Sequence, residues 1–162
     1  MSSASADPPP VLLPTMEAEV AALKKFVVLL ERERQLLATG ETDGLHNLVS
    51  EKNGLAVQLT TLGARRGEFL VASGLSADHA GIHAWLDAHP AADRARSTWR
   101  LLLSLATQAR ELNTANGDLI QIRMQQNALA LDALLGATAS LRLYGPDGQS
   151  APLGGRRISD CA

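Results

Sequence analysis

The chain has 162 residues, 46% of them hydrophobic and only 3% aromatic, and its 15 basic residues nearly balance its 17 acidic ones. This length suits one domain with a single core. A core of Leu and Ala favours helix packing over a sheet, which prefers β-branched and aromatic residues. The balanced charge argues against a nucleic-acid-binding surface, and the only cysteine, Cys161, excludes an internal disulfide. We therefore expect an all-α protein with no nucleic-acid partner.

The two ends of the chain differ in composition from the middle. Residues 1–14 contain four prolines, which predict a stiff, disordered leader; they lack the basic segment and long apolar run of a secretory signal. Residues 145–162 are rich in Gly, Pro, Ser and Arg and predict a flexible tail. No window approaches the roughly 20 apolar residues of a membrane span, so we expect a cytoplasmic protein without stable membrane insertion.

The first predicted helix covers about residues 16–38. Thr15 is the expected N-cap and Gly40 the expected C-cap. The apolar residues of this segment follow the spacing of a helix that packs along one face. They are Met16, Val20, Leu23, Val27, Leu30 and Leu37.

A second helix is predicted over about residues 43–72, beginning at Thr42 or Asp43. Its leucines keep a seven-residue phase, in which Lys52 and Arg66 occupy two of the positions. Because few residues separate the two helices, they should form an antiparallel hairpin.

A short helix and a long one complete the predicted bundle. The short helix is expected over about residues 78–88, with Ser76 or Asp78 as its cap. The last helix covers about residues 92–139 and would be about 70 Å long if unbroken. It should project past the hairpin or bend at Gly117, because a glycine inside a helix costs about 1 kcal/mol and usually serves close backbone approach or bending.

The sequence shows no chemistry typical of an enzyme. His79 and His83 stand one turn apart, but no Cys or Glu supports them at a suitable spacing, so we favour solvated histidines over a metal site. There is no nucleophile elbow, phosphate loop or dinucleotide motif. We expect no catalytic residue, no cofactor and no metal. Trp85 and Trp99 should anchor the short helix to the bundle rather than form an exposed docking site.

The last helix carries polar and apolar residues on several sides. Asn113, Asn116, Gln121 and Asn127 form either a solvated face or a set that fixes register against a partner helix. Two apolar stripes run beside them, and the hairpin can cover only one. The other should meet a second chain, and self-association and binding of a different protein fit equally well. One stripe is Leu112, Leu119, Ile122 and Leu129, and the other is Ile120, Met124, Leu131 and Leu135.

Residues 111–148, ELNTANGDLIQIRMQQNALALDALLGATASLRLYGPDG, hold several short matches in a family-specific order. On these residues the chain resembles the FlgN family of bacterial flagellar type III export chaperones. The resemblance extends from the first helix through Gly148. The matching residues are Leu112-Asn113, Asn116-Gly117, Leu119-Ile120, Arg123, Ala128-Leu129, Leu134, Tyr144-Gly145 and Gly148.

The resemblance implies a role in flagellum assembly without catalysis. FlgN-like proteins hold the C-terminal helical segments of the hook-associated (hook-filament junction) proteins in the cytoplasm, prevent their premature assembly and deliver them to the flagellar export gate. Tyr144 matches a tyrosine implicated in docking on that gate, with helix-end packing as the alternative interpretation. We expect this cargo to bind the apolar side chains already noted on the last helix, namely Leu112, Leu119, Ile120, Ile122, Met124, Leu129, Leu131 and Leu134.

The alternative hypothesis is a homodimeric helical-hairpin scaffold that handles no cargo. Such a scaffold should be a stable oligomer alone, whereas a chaperone should form a defined complex with a helical peptide. A chaperone could also form a homo-oligomer in the absence of cargo.

Overall fold

The computed structural model describes the backbone of residues 11–143 and the side chains of residues 11–137. All secondary structure within these residues is helical, which confirms the predicted all-α fold. The chain divides after Ile120 into two units, the first with three helices and the start of the fourth, the second with the rest of the fourth. The helices are α1 (Leu12–Thr39), α2 (Leu45–Ala72), α3 (His79–Ala88) and α4 (Asp93–Leu143).

Helix α1 begins at Leu12, so the predicted N-cap at Thr15 is wrong. Pro14 lies in the first turn, where its missing N–H would have no partner within the helix anyway. Thr15 is buried, and its N–H donates to the Val11 carbonyl at 3.1 Å. The earlier start also buries Leu12, and burying a leucine contributes about 1.5–3 kcal/mol. Burial, rather than a side-chain cap, sets the start of α1.

Two glycines with positive φ frame the turn between α1 and α2. Gly40 has φ 76° and its N–H bonds to the Leu36 carbonyl, which confirms the predicted C-cap. Gly44, at φ 83°, is the N-cap of α2 and no side chain caps this end, so the predicted start at Thr42 or Asp43 is wrong. A residue with a Cβ would be strained at such φ values. The tight turn therefore takes precedence over side-chain capping.

Two ion pairs join α1 to α2. Lys52 Nζ lies 2.8 Å from Glu33 Oε1, and Arg66 Nε lies 3.1 Å from Glu19 Oε2. The two acids are 14 residues apart, as are the two bases, and their order is reversed. The helices therefore run antiparallel, which confirms the hairpin. The two basic residues in the apolar seam of α2 are thus paired with carboxylates of α1.

The first part of α4 packs beside α1 in the same direction. Arg94 Nε donates to Glu17 Oε1 at 2.7 Å near the start of both helices. Further along both, Asn116 Nδ2 donates to the Leu30 carbonyl at 2.9 Å. Helix α1 thus contacts α2 on one side and α4 on another. The buried core is Leu12, Met16, Val20, Leu23, Val27, Leu30, Leu70, Ile82, Leu86, Ala95, Trp99, Leu102 and Ala109.

Helix α3 joins this core through Ile82 and Leu86, which are buried. Its N-cap is Asp78, whose carboxylate accepts from the Ser76 hydroxyl at 2.6 Å and from the Gly81 N–H at 3.1 Å. These hydrogen bonds, first that of Ser76, hold the pKa of Asp78 below its usual range. The two alternative predicted caps therefore act together, Asp78 on the helix and Ser76 on Asp78.

Several predictions fall outside the described residues. They concern the leader up to Pro10, the tail from Gly145, and Tyr144. Within residues 11–143, no helix combines the length and the hydropathy that crossing a membrane requires.

Candidate binding surface

The C-terminal part of α4 exposes a dense set of large apolar side chains. From Ile120 to Leu135 these side chains are 39% to 70% exposed. By contrast, most large apolar side chains in the first part of α4 belong to the core or pack against it. A contiguous exposed apolar surface on a folded protein marks a site of interaction.

Most of these residues share one side of the helix. At about 100° per residue they fall within roughly 100° of the circumference, while Ile122 and Leu129 lie on the opposite side. The shared surface is about 22 Å long. We call it the exposed stripe, and it consists of Ile120, Met124, Leu131, Leu134 and Leu135.

The other stripe predicted from the sequence is divided in the structure. Leu112 is half-buried and packs against the core, and Leu119 is also half-buried. Ile122 and Leu129 continue the same series but are 49% and 70% exposed. The sequence-predicted cargo residues therefore do not form one surface, and the exposed stripe is the longest uncovered part of the set.

Among the described side chains of α4, Asn116 is the last that is buried. Every seventh residue of α4 is buried as far as Asn116. The same series then continues as Arg123 and Ala130, which offer a charge and a methyl group in place of large apolar groups. The rest of the core-facing side stays apolar, because at about 100° per residue the exposed stripe lies within about 60° of Leu102 on the helix circumference. The buried members are Ala95, Leu102, Ala109 and Asn116.

Asn116 lies in a buried polar network that joins three helices. It is 1% exposed, and its Nδ2 donates to the Leu30 carbonyl and to Glu33 Oε2, both at 2.9 Å. Lys52 Nζ holds the two oxygens of Glu33 at 2.8 and 3.0 Å. A fully buried amide with directed partners fixes the register of α4 against α1.

The polar series of α4 therefore has two different roles. Asn116 fixes register against a partner helix, which was one of the two interpretations of this series. The partner helix is α1 of the same chain. Asn113 and Gln121 are exposed, which fits a solvated face, and Asn127 is exposed on the side of α4 that carries the exposed stripe.

A second buried polar cluster surrounds Glu19. Glu19 is 4% exposed, and burial raises the pKa of its carboxyl, while the positive charge of Arg66 acts in the opposite direction. The Arg66 guanidinium carbon lies 5.2 Å from the ring centroid of Trp99, within range of a cation–π contact. Arg66 Nε and Glu19 Oε2 are at ion-pair distance but lack the alignment of a hydrogen bond. The cluster is thus only partly satisfied.

The roles of Glu19 and Glu33 were not predicted from the sequence. The signal was available, because two acids and two bases recur at the same 14-residue spacing on helices expected to be antiparallel. Four helical turns separate such residues, so both members of each set face the same neighbour.

Two of the histidines and both tryptophans contribute to packing. The His79 ring meets the buried Trp99 edge-on at 5.2 Å, and His83 is exposed. Trp85 packs against the core, and the His89 ring stacks on it at 4.1 Å. The predicted anchoring role of both tryptophans is confirmed. Among the residues that the structure describes, no group of three His, Cys, Asp or Glu side chains is placed to hold a metal.

Gly117 does not mark a close approach between backbones. A Cβ at this position would meet nothing within 4 Å, and α4 continues through it as one helix. The interpretation of Gly117 as a site of close backbone approach is therefore wrong.

Comparison with known proteins agrees with the resemblance seen in the sequence. The FlgN protein family matches residues 10–152. The chain is 28% identical over 147 residues to the flagella synthesis protein FlgN of Yersinia enterocolitica serotype O:8 / biotype 1B (strain NCTC 13174 / 8081), covering 88% of this chain and 92% of that protein. It is 27% identical over 148 residues to the protein of the same name from Proteus mirabilis, covering 89% and 94%. No solved structure matches the chain. Because the family match spans α1 to α4 with the exposed stripe, this chain belongs to the FlgN family of flagellum synthesis proteins.

Proposed function

We propose that this protein is a cytoplasmic export chaperone for the hook-associated proteins of the bacterial flagellum. The observation that carries the proposal is the exposed stripe, on a chain whose relatives are named for flagella synthesis. The stripe binds the amphipathic C-terminal helical segments of the hook-associated proteins and masks their apolar faces. The complex is then delivered to the flagellar type III export gate, where the cargo is released.

The stripe has the physical properties that such masking needs. Burying an exposed Leu or Met side chain contributes about 1.5–3 kcal/mol, and association costs at least about 4 kcal/mol in lost freedom. Five such side chains therefore give a binding free energy that leaves the complex reversible. Apolar burial is the driving force, so the binding requires neither ATP nor a catalytic group.

Asn127 gives the stripe a means of choosing register. It lies between Met124 and Leu131 on the same side of α4 and is exposed. A single polar side chain in an apolar helical seam favours the alignment that offers it a polar partner. We therefore propose that a polar side chain of the cargo helix lies opposite Asn127.

Two matched double variants test the site by calorimetric titration of the full chain with the C-terminal segment of a hook-associated protein. Met124→Asp/Leu131→Asp should weaken binding by at least about 100-fold, because two apolar contacts are lost and two carboxylates must be desolvated. Ile122→Asp/Leu129→Asp is the control, with the same seven-residue spacing and comparable exposure. The sequence predicted these two residues as cargo contacts, and we now propose otherwise because they lie on the opposite side of α4 from the exposed stripe. It should change affinity less than about threefold, and all four sites are exposed, so the free energy of unfolding should change by less than about 0.5 kcal/mol per site.

The same titration distinguishes the chaperone proposal from the scaffold hypothesis. Equal losses in the two variants would show that the stripe is not the specific site. A wild-type chain that forms a stable oligomer and binds no hook-associated segment would support the homodimeric scaffold in place of the chaperone.

We also propose that Tyr144 contacts the export gate. The proposal rests on its position in the family match, followed at once by Gly145-Pro146. A tyrosine supplies a large contact area at small entropy cost, which suits a transient interface. Tyr144→Ala should keep cargo affinity and lower the free energy of unfolding by less than about 1 kcal/mol, yet reduce secretion of the hook-associated proteins. Full secretion, or a large fall in melting temperature, would remove this role.

A further inference from the structure

The α1–α2 hairpin carries an apolar groove that the proposed function leaves unused. The groove has a volume of about 500 Å³; its apolar lining is Val28, Leu29 and Leu55, and its charged lining is Lys24, Lys25 and Glu51. Val28 is 60% exposed, the two leucines are half-buried, and none of the three belongs to the core. The hairpin therefore presents an apolar surface besides the one that packs into the core.

The groove is longer than its central cavity. Leu36 and Leu62 stand seven residues beyond Leu29 and Leu55, are half-buried and also lie outside the core. The two ion pairs between the helices place Leu62 level with residue 23 of α1. These leucines extend the groove to about 20 Å. The exposed stripe of α4 is about 22 Å long, so the two apolar surfaces match in length.

On its α1 side the groove carries charges complementary to the acidic residue beside the exposed stripe, whereas its α2 side carries Glu51. The α1 side of the groove carries Lys24 and Lys25, and the exposed Arg32 continues this basic rim. In residues 119–137 of α4 the only acidic residue is Asp132. It is exposed and lies about 100° around the helix from the centre of the exposed stripe. A helix seated in the groove by its stripe can thus place Asp132 over the basic rim.

We propose that the exposed stripe of one copy docks in the hairpin groove of a second copy. The docked helix completes the hairpin to a three-helix arrangement, with Asp132 facing Lys25 and Arg32. The contact can be made reciprocally, which is the closed arrangement of a twofold dimer. It does not depend on cargo binding, although a cargo that uses the stripe would compete with the second copy.

Sedimentation equilibrium of the full chain from about 1 μM to about 1 mM tests the docking. The wild type should self-associate, and Val28→Asp in the groove or Met124→Asp in the stripe should each abolish it. A mixture of the two variants should form a heterodimer, because one copy keeps its stripe and the other keeps its groove. Val57→Asp is the control, since Val57 is 67% exposed on α2 and does not line the groove; it should associate as the wild type does.

Charge reversal tests the orientation of the contact. Asp132→Lys, or Lys25→Glu/Arg32→Glu, should each raise the dissociation constant by about fivefold, as expected for exposed ion pairs. The chain that carries all three changes should return to the wild-type value. A return to the wild-type dissociation constant would show that Asp132 contacts Lys25 and Arg32. If the residues did not interact, the losses of affinity from the separate changes would add instead of cancelling.

A chain that stays monomeric over the whole concentration range would overturn the proposal and leave the groove to a different helix. A dimer that persists in both Val28→Asp and Met124→Asp would also overturn it. A failure of the docking proposal can be distinguished from a failure of the chaperone proposal. If the stripe holds the cargo, Val28→Asp should keep full affinity for the hook-associated segment. Loss of cargo binding in that variant would place the cargo on the hairpin instead of the stripe.

Discussion

Buried Asn116 ties α4 to the hairpin through the Leu30 carbonyl and the Glu33 carboxylate. Asn116→Ala would leave Glu33 with Lys52 alone, and we predict that the free energy of unfolding falls by about 1–3 kcal/mol, the usual cost of removing the partner of a buried polar group. Urea denaturation measures this change. Asn113→Ala, at an exposed position one turn earlier, is the control and should stay within about 0.5 kcal/mol of the wild type. Equal changes in both variants would contradict the role of the network.

Glu19 should make stability depend on pH in a direction opposite to that of most carboxylates. Burial raises its pKa above 4.5, so the folded chain binds a proton more readily than the unfolded chain. The free energy of unfolding contributed by Glu19 should therefore increase as the pH falls from 7 through the folded-state pKa. Asp78, whose pKa is lowered, acts in the opposite sense, but only as the pH falls below 3.8.

The measurement compares the wild type with Glu19→Gln by denaturation at pH 7, 6 and 5. The variant removes the titrating group and keeps its shape, so the wild type should gain stability relative to it as the pH falls. A difference that stays constant, or that changes in the opposite direction, would show that the carboxylate is not destabilised by burial.

At the scale of helices, the pattern of apolar residues predicted the elements well but their first residues poorly. The C-cap at Gly40 and the cap at Asp78 followed from known preferences of single residues. The starts of α1 and α2 did not, because burial of Leu12 and the positive φ of Gly44 depend on packing and turn geometry. The burial of Leu12 and the backbone conformation of Gly44 are both set by the hairpin as a whole and not by single residues.

Two glycines provide a test of the helices. A Cβ at Gly81 would overlap the Ser76 carbonyl oxygen, whereas one at Gly117 would meet nothing within 4 Å. Gly81→Ala must shift the backbone of the α3 cap and should lower the free energy of unfolding by about 1–3 kcal/mol or more. Gly117→Ala should raise it by about 0.5–1 kcal/mol, because alanine is the better helix former. Thermal denaturation distinguishes the two, and destabilisation by Gly117→Ala would restore a structural role for that glycine.

At the scale of the whole molecule, the sequence predicted two apolar stripes on α4 but could not decide which one remains uncovered. The decision depends on where burial along α4 ends, and the sequence does not mark that point, because the apolar side of the helix continues past Asn116. Leu112 and Leu119 prove to be half-buried, while Met124 and Leu131 are exposed. The family resemblance supplied the kind of partner, which no feature of spacing or composition contains.

The central claim is that the exposed stripe holds the hook-associated cargo. Hydrogen–deuterium exchange of the full chain, with and without the C-terminal segment of a hook-associated protein, tests it most directly. Bound cargo should slow exchange in peptides that cover residues 120–137, because a docked helix suppresses local opening there. Exchange in α1 and α2 should not slow; it should stay unchanged in a monomeric sample, and become faster where cargo displaces a second copy from the hairpin groove. Protection confined to the hairpin, with no change in residues 120–137, would contradict the account.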